Sequence, residues 1–151
     1  MKFVATLAIA ASACALSAPA SAQFAKPEDA VKYRQSAMFL MSQHFGRIGG
    51  MANGRIPFDG KGAAENAEVV SEMSKMPWQA YVAGTDKVPN TRAKSEIWSE
   101  QAKFNEYNQR LMGDTTKLLA AAKTNNLDNL KKAFGDTAAT CKACHDNFRR
   151  D

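Results

Sequence analysis

The residues whose types and spacing could do chemistry stand together at Cys141-Lys142-Ala143-Cys144-His145. Two cysteines separated by two residues, with His directly after the second, form the pattern of c-type haem attachment. Each thiol adds to one vinyl group of the porphyrin, and the adjoining imidazole lies where it can bind the iron. On a helix Cys141 and Cys144 are three apart and Cys141 and His145 four apart, so all three can face one flat molecule. Three plainer readings stand beside this one. A structural zinc site wants about four N or S ligands, and His44 is the only other His. A thioredoxin-like redox pair wants a βαβ setting, and no strand pattern surrounds this one. A simple disulfide gives His145 no role.

The start of the chain reads as an export signal. Lys2 precedes an apolar run from Phe3 to Leu16, and Ser17 through Ala22 ends in an Ala-x-Ala site. Residues 1–22 are therefore expected to be a signal peptide cut after Ala22, which leaves residues 23–151 as one domain in the periplasm. The apolar run is too short to span a bilayer, and no later stretch is long enough, so no membrane partner is expected. Cys14 leaves with the signal; Ala11 occupies a place where lipid-attachment signals prefer a larger aliphatic. The two remaining cysteines are those of the motif. With Lys2 lost, the formal charge falls from +5 to +4. The basic residues are scattered among acidic ones, so no nucleic-acid footprint emerges. No Ser-His-Asp pattern, phosphate loop or paired-carboxylate constellation suggests a turnover enzyme.

Four segments carry helical spacing, and none carries sustained alternation of period two. The first runs from about Pro27 to Ile48, with Glu28 and Asp29 near the positive end of its dipole. Its inward stripe is Val31, Arg34, Met38, Met41, Phe45 and Ile48, and Gly49-Gly50 is expected to end it. The second runs from about Lys61 to Lys75, with Ala63, Ala67, Val70 and Met73 inward and Pro77 as its stop. A long connection leads to a third helix from about Ser95 to Ala122, with Ile97, Gln101, Phe104, Asn108, Leu111 and Leu118 on one face. Gly113 within it costs about 1 kcal/mol against Ala. The fourth runs from about Leu127 to Arg149, with Leu130, Phe134, Thr137, Cys141 and Phe148 inward. The economical architecture is all-α: an antiparallel four-helix bundle with a covalently attached haem c in its core.

The export signal, four helices and late Cys-x-x-Cys-His together resemble class II c-type cytochromes, and more narrowly the cytochrome c′ family. The run from Gln23 to Ala37 is similar to members of that family. So are Met76-Pro77-Trp78, Glu96-Ile97-Trp98, and Phe134-Gly135-Asp136 through His145-Asp146. The resemblance implies that Cys141 and Cys144 carry the haem and that His145 is the proximal iron ligand. It implies that Arg34 and Gln35 approach a propionate, that residue 38 packs over the distal iron face, and that Arg149 lines the proximal pocket. The family's commoner residue at position 38 is Leu or an aromatic, and Met38 departs from it. Low-spin relatives use a first-helix Met as sixth ligand. A homodimer through the first two helices is also implied.

Only residues 146–151 follow His145, and none is Met or His, so a second iron ligand would have to come from upstream. The candidates are His44 and methionines 38, 41, 51, 73, 76 and 112. Axial ligation separates gas binding from electron transfer. The leading expectation is a five-coordinate, high-spin haem that binds NO and CO at its open face, with electron transfer to an unidentified redox partner as a further role. The alternative is a six-coordinate, low-spin electron carrier with Met38 on iron. The third is a helical interaction module without haem, closed by a Cys141–Cys144 disulfide.

Overall fold

Pro27 fills the first helical position of α1 (Pro27–Ala52), where its missing N–H costs nothing, and Glu28 and Asp29 occupy the first turn. The computed structural model describes residues 23–150; the signal peptide expected at 1–22 and its expected cleavage point lie outside them. α2 (Gly60–Met73) follows, then a 3-10 turn (Pro77–Ala80) and a long connection. A short helix α3 (Glu96–Ser99) precedes α4 (Gln101–Lys123) and α5 (Leu127–Phe148). Asn126 caps α5 through side-chain bonds from the Asp128 and Asn129 amides. The four long helices form an antiparallel bundle in which α2 bridges α1 and α4, and α5 packs on α4 and back on α1. Among the described residues there is no strand, only one antiparallel bridge between Ala93 and Arg149. No described helix is long and apolar enough to cross a membrane.

The bundle departs from the sequence expectation in three places. α1 runs through Gly49-Gly50 instead of ending there, and it stops only as Asn53 caps it and Gly54 takes a left-handed φ of 69°. The glycines serve packing: a Cβ on Gly49 would lie 2.7 Å from Cζ of Phe134, whose ring stacks on Phe45 at 4.5 Å. α2 ends at Met73, before Pro77, which instead opens the 3-10 turn. The third helix is broken at Glu100, whose ψ of 44° leaves the helical region. The break folds Ile97 and Trp98 against Ala93 and Phe148, and it leaves Gln101, expected inward, exposed.

The core divides accordingly. Met41, Ile48, Val70, Leu111, Leu118 and Leu130 join the four long helices at one end. Ala93, Ile97, Phe104 and Phe148 form a second cluster under the connection. Both clusters border the same cavity.

Two glycine substitutions of opposite sign test this packing. Gly49→Ala is expected to lower unfolding stability by about 1–3 kcal/mol through overpacking against Phe134. Gly113→Ala is expected to raise it by up to about 1 kcal/mol, because nothing lies within 4 Å of the added methyl. Denaturant titration of both variants reads the contrast.

Candidate functional site

A cavity of about 540 Å³ opens between α1, α4, α5 and the connection. That volume falls within the roughly 300–1,000 Å³ of cofactor pockets. Its walls are largely apolar: Met38, Met41, Phe45, Phe104, Leu111 and Phe148 among others. Cys141, Cys144 and His145 all lie on the α5 wall, so the motif presents one face to the cavity, as its spacing requires. Both thiols are free and half-buried. Burial pushes the Cys141 thiol up, with the Asp114 charge adding to the shift, and it pushes Cys144 up to about 11, with Cys141 adding. These are neutral thiols, the reverse of the activated thiolate of a redox pair or a metal ligand. Among the described residues no three His, Cys, Asp or Glu side chains converge as a metal-ligand set. His145 is open to the cavity mouth yet flanked by protein, and that flanking, followed by the Arg149 guanidinium, holds its pKa below the usual imidazole value. The neutral ring is the form that binds a metal ion.

Helix α1 carries the remaining expected residues except Arg149. Met38 is half-buried and Met41 buried; both line the cavity and pack into the core. Gln35 is exposed at the rim, and its amide donates to the Asn90 carbonyl at 3.0 Å. His44 lies outside the cavity lining, with its Nδ1 2.9 Å from Oδ1 of Asn66 on α2. Arg34 is only 3% exposed. Its Nη1 donates to the Ala80 carbonyl at 3.0 Å and to Oγ1 of Thr85 at 2.7 Å. Its Nη2 donates to the Thr85 carbonyl at 3.2 Å and to Oγ1 of Thr91 at 2.7 Å. The guanidinium also lies 4.4 Å from the centre of the Tyr81 ring. Desolvation lowers the Arg34 pKa, with the Tyr81 hydroxyl opposing, but a guanidinium stays charged at any ordinary pH. Among the described residues this buried cation has no carboxylate partner, although buried charges are ordinarily paired.

Arg149 lines the cavity at the end of α5, where its N–H donates to the His145 carbonyl at 2.9 Å. The segment after it is fastened to the connection: Lys94 N–H donates to the Phe148 carbonyl, and Arg150 N–H to that of Arg92. Sequence reasoning missed Tyr81, Thr91, Arg92 and Thr140, all of which line the cavity. The first three lie in the irregular connection, where no periodicity marks an inward residue. Thr140 stands one residue before the motif, and the helical step from Thr137 could have found it.

The cavity therefore suits a flat, apolar, anionic cofactor bearing a metal. It offers two half-buried thiols at the attachment spacing, one imidazole, apolar walls and a buried cation without a countercharge. The model of the cytochrome c′ family matches residues 29–149. A cytochrome c′ from Alcaligenes xylosoxydans xylosoxydans is 48% identical over 128 residues, 85% of this chain and 98% of the relative. The crystal structure of cytochrome c′ from Rubrivivax gelatinosus, at 47% identity, aligns with a TM-score of 0.82 over 85% of this chain and all of its own. A nitric oxide complex of a cytochrome c prime mutant from Alcaligenes xylosoxidans, at 46% identity, aligns with a TM-score of 0.79 over 85% of this chain and 99% of its own.

Two outcomes follow from the Arg34 cage. Arg34→Ala strips four acceptors of their donors and is expected to destabilise the fold by about 2–4 kcal/mol in denaturant unfolding. Tyr81 is held up to about 12, first by burial, which outweighs the opposing Arg34 charge. Its folded pKa lies above the unfolded value of about 10. The stability it contributes is thus full below pH 10 and is lost as pH rises from 10 through 12. Tyr81→Phe should flatten that alkaline loss in a pH series of thermal melts.

Proposed function

The chain belongs to the cytochrome c′ family, whose members carry one covalently attached haem c, and from that premise we propose a five-coordinate haem protein that binds small gases. The chain is a c-type cytochrome, and its finer role is argued from the residues of the cavity. Cys141 and Cys144 would hold the haem through thioether bonds, with His145 as the iron's one protein ligand. Bound there, the group supplies an iron centre for one-electron exchange and for gas binding. Arg34, buried and without a carboxylate partner, would supply positive charge for a propionate, with Gln35 beside it at the rim. Arg149 would keep the proximal imidazole neutral and oriented.

One observation carries this reading. Among the described residues His145 is the only imidazole on the cavity lining, and the only thioethers there, Met38 and Met41, are packed among core side chains. Met38 then acts by bulk: it crowds the distal side, so a diatomic molecule fits where a larger ligand does not. The relative solved as a nitric oxide complex lends support to NO as one such ligand; CO is the other. In this role the protein binds and carries and does not turn over a substrate. We further propose that it is exported to the periplasm after cleavage behind Ala22. It would work there as a homodimer joined through α1 and α2, where Leu40 on α1 and Ile56 in the loop between the two helices are exposed at 47% each.

Optical spectra of the purified holoprotein test the coordination. High-spin spectra in both oxidation states, and a ferrous spectrum that changes on addition of NO or CO, are expected. Met38→Leu should leave the spin state unchanged. A low-spin spectrum with an iron–sulfur charge-transfer band, abolished in Met38→Leu, would replace gas binding with the electron carrier.

A further inference from the structure

Asp114, on α4, is a buried carboxylate outside the machinery described so far. Its side chain is 10% exposed. Oδ2 accepts a hydrogen bond from Oγ1 of Thr140 at 2.7 Å, and Thr140 both lines the cavity and precedes the attachment residue Cys141. Thr137, one turn earlier on α5, reaches toward the Asp114 carbonyl at 3.4 Å. The carboxylate is close enough to raise the pKa of the Cys141 thiol. Two cations approach it from the other side: Lys117 at 3.2 Å from Oδ1 and Arg110 at 3.8 Å from Oδ2. Both are on α4 itself and mostly in water, 77% and 63% exposed, so solvent and salt weaken their hold. Toward the cavity stands Thr140, itself fully buried, and on that side a charge acts at lower effective dielectric.

The geometry points to Asp114 as the fixed charge that biases the oxidation state of the attached haem. A negative charge behind the α5 wall stabilises the ferric state, which carries one more positive charge than the ferrous, and so lowers the midpoint potential. The couple is a one-electron exchange at iron. Thr140 only meets the carboxylate on the wall that carries Cys141; the bias comes from the charge of Asp114. The inference rests on haem attachment at Cys141 and Cys144, and it holds for either number of iron ligands.

A plainer role, in which Asp114 and Thr140 merely fasten α4 to α5, predicts a different pattern. Spectroelectrochemical titration of the holoprotein separates the two. At an ambient potential poised on the wild-type midpoint, Asp114→Asn is expected to raise the ferrous-to-ferric ratio about three- to tenfold, as for the loss of one partly screened unit charge. Thr140→Val keeps the charge and should leave the ratio within about twofold of wild type. An unmoved Asp114→Asn, or a Thr140→Val that moves as far, overturns the proposal. Should Asp114→Asn not fold, Asp114→Ser is read instead: it removes the same charge, so the ratio rises, and an unmoved ratio overturns the proposal. Haem staining of the denatured band reads attachment separately. An unstained band removes the attachment itself, while a stained band with an unmoved potential removes only the role of Asp114.

Discussion

The site depends on one buried cation. Arg34 stands on an otherwise apolar stripe of α1, and its four terminal donors are taken by Ala80, Thr85 and Thr91. Those acceptors belong to the 3-10 turn and to the irregular connection between α2 and α3. That connection has no regular ladder to satisfy its own carbonyls, so the guanidinium does that work and draws the segment onto the side of the bundle. Tyr81 lies over the guanidinium, and Thr91, Arg92 and Ala93 are carried into the cavity wall. Without this cage the second core cluster would lose its cover, and the cavity one of its sides.

The opposite wall is made by α5, where the physical demand is different. A bundle of four helices normally fills its own centre. Here α1 meets α5 through Phe45, Gly49 and Phe134 at one end, and the helices leave a space farther along, beside Cys141 and Cys144. The break at Glu100 turns Ile97 and Trp98 onto Phe148 and closes that end of the space with aromatic rings: Phe104 lies 5.3 Å from Phe148 and 4.9 Å from Tyr81. The result is a slot lined by apolar surface and crossed by few polar groups. Burial keeps the thiols and the imidazole neutral, which suits covalent attachment and metal binding rather than acid–base or thiolate chemistry.

Charge is arranged around this slot with a consistent sign. Arg34, Arg92 and Arg149 line it, while the nearest buried anion, Asp114, stands behind the α5 wall. A cofactor bearing carboxylates at its edge and a cationic metal at its centre meets both halves of that arrangement.

Local pattern in the sequence determined the four long helices and most of the face that each buries, because a period near 3.6 is written residue by residue. It also determined the attachment chemistry, because Cys141, Cys144 and His145 are neighbours along a single helix and need no distant partner to share a face. Only the tertiary structure decided the rest. It showed that Gly49-Gly50 is a packing notch rather than a stop, since the ring that fills it comes from α5. It turned His44 away from the cavity, since the face of α1 that carries it meets Asn66 on α2. It gave Arg34 its partners and Asp114 its place, since those bonds join segments 26 to 57 residues apart. Such contacts arise when helices with separately encoded faces come to rest against one another, and no window of sequence holds both sides of them.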